Sequence, residues 1–257
     1  MAALVVTAEP LAAQEWLRPS EIVAGQALIH RGSLSAAHLY FTRLSEAHPE
    51  DPVGPTLAAS ALIWCGEERD DDGLLADSID ALLVEAVRRA EAALAEAGSD
   101  SARAALAFWL GSAHGFRARQ AELLGRPWRA AREAGRMRSA LQLALEIDST
   151  CVDCRLGLAV YEYGLARASA LARLAARIAG LGGGDVDRAL AQVRLVAEQG
   201  TYTRVDARWF YANALFRESD RAPELREEAL RVMGLLADEH PGNAVFARFR
   251  YGPPAER

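Results

Sequence analysis

Apolar residues recur three and four positions apart along most of the chain, the spacing that lines one face of an α-helix. The clearest run covers 74–97, where Ile79, Leu82, Leu83, Ala86, Val87, Ala90 and Leu94 form one stripe between charged positions. The same period predicts helices over 20–31, 33–47, 53–65, 101–124, 127–149, 185–200, 204–218 and 223–239, a long helix from Cys151, and a short closing one over 244–250. Helix punctuation falls between them. Gly32-Ser33 supplies a turn and an N-cap, Pro52 and Pro127 suit first turns, Gly125 and Pro241-Gly242 stop helices, and Asp185 caps one. Alanine is abundant and β-branched runs are scarce, which favours helix over strand.

Within this helical pattern, Gly25, Ala37, Phe41 and Pro49 stand at the offsets of the small, small, aromatic and proline positions of a 34-residue tetratricopeptide unit. Gly25 permits close helix approach, Ala37 receives the packed neighbour, Phe41 fills the gap, and Pro49 ends the second helix. Ala58 and Ala59 follow one unit later, and ALEIDS at 144–149 resembles the terminus of such a unit. The chain thus resembles the tetratricopeptide repeat (TPR) family. Its lengthened central hairpins, with LGSAHGFRAR, ALEID and YEYGLAR in this order, look like a divergent bacterial subgroup, distantly similar to a mitochondrial outer-membrane TPR family. The resemblance implies an all-α, right-handed α-solenoid of about five helix hairpins. It would form one domain over 18–251, with a lead-in at 1–17 and a tail at 252–257.

Composition removes several chemistries. All 29 basic residues are arginine, so no Schiff-base, P-loop or kinase lysine exists. A net charge of −6 opposes general nucleic-acid binding. The three cysteines are too few for a disulfide scaffold, and Cys151-Val-Asp-Cys154 lacks the second ligand pair that zinc needs, so packing thiols are expected there, with a redox pair as the alternative. The acidic stretch 67–73 nearly imitates a calcium loop but places Ile79 where a bidentate carboxylate is required. No cofactor or metal is expected. The N-terminus lacks a basic region and a full apolar stretch, so a cytoplasmic location is slightly favoured over an exported one.

The resemblance implies a concave groove lined by the first helix of each hairpin and suited to a protein or peptide partner. Counted from each unit's small residue, the candidate groove set is Gln26, His30, Trp64, Phe108, Ser112, Phe116, Arg119, Tyr161, Glu162, Phe210 and Arg217. Arg129, Arg132 and Arg136 share a helical face and form a candidate basic patch. The expected function is a non-catalytic binding scaffold. The alternatives are membrane-surface association through the arginine-rich hairpin at 164–184, and an enzyme with a site assembled from scattered residues.

Overall fold

A computed structural model describes residues 18–169 and 183–252. Among them are eleven helices and no strand. They are α1 (Pro19–His30), α2 (Leu34–Ala47), α3 (Val53–Arg69), α4 (Ala76–Glu96), α5 (Asp100–Leu123), α6 (Pro127–Ile147), α7 (Cys154–Arg167), α8 (Val186–Gln199), α9 (Arg204–Glu218), α10 (Pro223–Glu239) and α11 (Ala244–Phe249). The all-α expectation holds among the described residues, but the long helix expected from Cys151 is only the 14-residue α7, which ends at Arg167 because Ala168 turns to an extended conformation (φ −62°, ψ 159°). Residues 1–17, 170–182 and 253–257 lie outside the described residues. These include the whole lead-in and most of the arginine-rich hairpin at 164–184.

Each helix packs on its neighbour in sequence, and α5–α6 is the most extensive pair. The small residues set these distances. A Cβ on Gly25 would stand 2.2 Å from the Phe41 ring, so the pair inferred from spacing is in contact across α1 and α2. At the α5–α6 crossing, a Cβ on Gly111 would lie 2.6 Å from Leu141. Gly111→Leu should therefore destabilise by about 1–3 kcal/mol through overpacking. An unchanged melting temperature would refute that crossing.

The chain's end returns to its beginning. Asn243 caps α11 by accepting from the Val245 and Phe246 amides, and its Nδ2 donates to the His30 carbonyl at 3.0 Å. Gly32, at φ +82°, approaches so closely that a Cβ would sit 2.4 Å from the Gly242 oxygen. Gln26 Nε2 donates to the Tyr202 carbonyl at 2.8 Å. Phe246, fully buried, packs between Trp64 of α3 and Trp209 of α9, with ring centroids 5.4 and 5.7 Å away. One core therefore runs from α1 to α11, with a second, smaller one between α3, α4 and α5.

A second tie joins the two turns that precede α7 and α9. Asp153 accepts from the amides of Thr201, Tyr202 and Thr203 and from the Thr203 hydroxyl, at 2.8–3.1 Å. The residues flanking it, Cys151 and Cys154, form a disulfide. This differs from the expectation of packing thiols. The short turn before α7 brings the two Cα atoms within 5.5 Å, and nothing in the local spacing separates a bonded from an unbonded pair.

Candidate functional site at the junction of α3, α5 and α9

Helix α5 is long enough to carry Arg119 well beyond its core-packing half, to the C-terminal end of α3. There the Arg119 guanidinium pairs with Glu67. From the first turn of α9, Asp206 faces the same place and receives the Trp64 indole N–H. Burial raises the Asp206 carboxyl to about 6, and the Trp64 hydrogen bond and the Arg119 charge only partly oppose that shift. Burial also lowers the Arg119 pKa. Beside them, the Arg248 guanidinium of α11 donates to the Glu67 carbonyl at 2.6 Å and the Glu68 carbonyl at 3.4 Å, capping the exposed end of α3. The junction thus sets a cation, a shared carboxyl and an indole against one another.

The structure divides the candidate groove set. Gln26, His30, Trp64 and Phe108 are buried against the chain's own elements. His30 lies 5.7 Å from the His240 ring, and Phe108 meets Trp109 and Tyr202. Ser112 turns its hydroxyl back to the Phe108 carbonyl. Phe116 and Phe210 are half-buried, Phe210 edge-on to Tyr163, and Arg217 is exposed. Tyr161 lies under Arg138 of α6, and Glu162 accepts from Arg188 of α8 at 2.6 Å. Trp64 and Arg119 share the junction, while Phe116, three residues before Arg119 on α5, packs against the small core between α3, α4 and α5. Glu67 and Asp206 belong to it too and were missed. Asp206 reads in sequence as an ordinary acidic residue favoured at a helix N-terminus.

The basic patch is largely neutralised. Arg129 pairs with Asp80 of α4, Arg136 with Glu133 at 3.6 Å, and Arg132 is exposed. Trp128 beside them is 90 % exposed. Glu133 is fully buried and accepts from His114 at 2.8 Å, with Arg117 at 3.5 Å. Burial lowers the His114 pKa against the pull of Glu133. That pair has the composition of a proton-transfer dyad, but its side chains are 4 % and 1 % exposed, which closes it to substrate. Glu218 is satisfied in a similar way by Tyr163, Arg167 and Arg221.

Among the described residues no group of three or more histidines, cysteines and carboxylates could hold a metal, and no helix is long and apolar enough to cross a membrane. No family model, curated protein or solved structure matches the chain.

Proposed function

We propose that this chain is a TPR-like, right-handed α-solenoid of five hairpins that binds a protein or peptide segment without turnover. The contact surface is the inner face around Phe116, Arg119, Asp206 and Phe210. The observation that carries the reading is the docking of α11. A six-residue helix places one aromatic, Phe246, between Trp64 and Trp209 and sets its Arg248 on the end of α3 beside Arg119. A face that seats one short aromatic-bearing helix has the chemistry to seat another alongside it. Affinity at such a face rests on a few aromatic and arginine anchors.

Phe116→Ala and Arg119→Ala should each weaken capture of the native partner from source lysate about tenfold or more, with helical content unchanged by circular dichroism. Arg129→Glu, on the outer patch, should leave capture intact. The reverse pattern would move the binding surface from the inner face to the arginine face around Arg129.

A further inference from the structure

Cys151 and Cys154 close a short ring at the start of α7, and Asp153 lies inside that ring. The Asp153 carboxylate is the common acceptor for three successive amides and one hydroxyl of the turn before α9. Tyr202, at the centre of that turn, passes its carbonyl to Gln26 of α1 and lays its ring 6.3 and 6.1 Å from Phe108 and Trp109 of α5. Asp206 follows four residues later, and the Asp153 charge reaches it. One ring of four residues thus fixes the carboxylate that positions a segment touching α1, α5 and α9.

The two sulfurs differ in access. Cys154 is fully buried, whereas Cys151 is partly exposed. An external thiolate can reach only Cys151. Cys154 then departs as a thiolate at the N-terminus of α7, where the positive end of the helix dipole favours negative charge and the Cys154 amide already donates to sulfur, at 3.3 Å to Cys151 Sγ. That asymmetry fits a reversible pair better than an inert staple.

We propose that Cys151–Cys154 is a thiol–disulfide exchange site for a dithiol reductant, and that its redox state sets the order of the 200–206 segment through Asp153. The thiolate of the dithiol attacks Cys151 Sγ, the Cys151–Cys154 bond breaks, and Cys154 leaves as thiolate. The second thiol of the donor attacks the mixed disulfide and releases Cys151. Two electrons and two protons pass to the protein, and the donor becomes a disulfide. With the ring open, the Asp153 turn is no longer held in the conformation that accepts all four donors. The inference is independent of what the inner face binds.

The test is hydrogen–deuterium exchange of the full chain, oxidised and after dithiothreitol without denaturant, with thiols counted by alkylation. Reduction should proceed under native conditions and speed exchange of the Thr201, Tyr202 and Thr203 amides about tenfold or more, while the α5–α6 amides stay unchanged. Asp153→Ala, which removes the shared acceptor oxygen, should exchange quickly at these amides in both redox states. The double variant Cys151→Ser/Cys154→Ser should match the reduced protein and ignore dithiothreitol. A disulfide that resists dithiothreitol until the chain unfolds would overturn the exchange site. Equal protection in both states, or a redox response undiminished in Asp153→Ala, would overturn the coupling.

Discussion

Phe246→Ala should lower the free energy of unfolding by about 3–5 kcal/mol, the cost of deleting a fully buried aromatic ring. The ring meets Trp64, Trp209 and His240, which belong to three different helices or turns, so the space it leaves cannot collapse by moving one neighbour. Chemical denaturation followed by tryptophan fluorescence reads the effect directly, because two indoles line the cavity. A loss under about 1 kcal/mol would mean that α11 leaves the body without disturbing it, and that the seat it occupies is dispensable to the fold.

Asp206→Asn should act in the opposite direction and only over part of the pH range. Burial raises this carboxyl to about 6 from an ordinary value of 3.8, so the folded protein holds the proton more tightly than the unfolded chain. The contribution is favourable below pH 3.8 and is lost as the pH rises through 6. At neutral pH and above, the ionised carboxylate therefore costs the fold up to about 3 kcal/mol, at 1.36 kcal/mol per pH unit. Asparagine keeps an oxygen for the Trp64 indole and removes the charge. The variant should melt roughly 6–12 °C higher than the parent at pH 8 and no higher at pH 3.5. His30 tilts the other way. Its pKa falls to about 3, chiefly by burial, so it withdraws stability as the pH drops from 6.5 toward 3. Between about pH 4 and 6 the two slopes oppose each other, so Asp206→Asn should make the melting temperature rise more steeply with pH there than in the parent. Equal gains for Asp206→Asn at both pH values would remove Asp206 from the buried junction.

The helices were legible because their signals are local. The stripe through Ile79, Leu83, Ala86 and Ala90 is buried as the period requires, and Ser99 and Asp185 cap α5 and α8 through their side chains. Gly25 and Phe41 meet as their spacing implied. What stayed hidden depends on contacts between residues far apart in the chain. Nothing around Asn243 points to His30, and nothing around Tyr202 points to Gln26. The run Val245–Phe249 has two aromatics in five residues, a clue that α11 buries more than a terminal cap would. The junction escaped notice because Glu67 and Asp206 look like ordinary charged residues at helix ends. Only the length of α5 and the return of α9 bring them to Arg119.

The join between Asn243 and His30, with Gln26 on Tyr202, bears on how the molecule comes apart. An array of helical hairpins ordinarily frays from its two termini, because each terminal unit has a neighbour on one side only. Here the turn after the first helix and the turn before the last one hold each other, through Asn243 on His30 and Gly242 on Gly32. Loosening α11 exposes the Trp64–Phe246–Trp209 cluster and withdraws the Asn243 support from the end of α1. Disassembly should then be a single concerted event, without the stepwise peeling that a row of independent repeats allows. The same join delays assembly, because a loop of more than two hundred residues must close before the final contacts form.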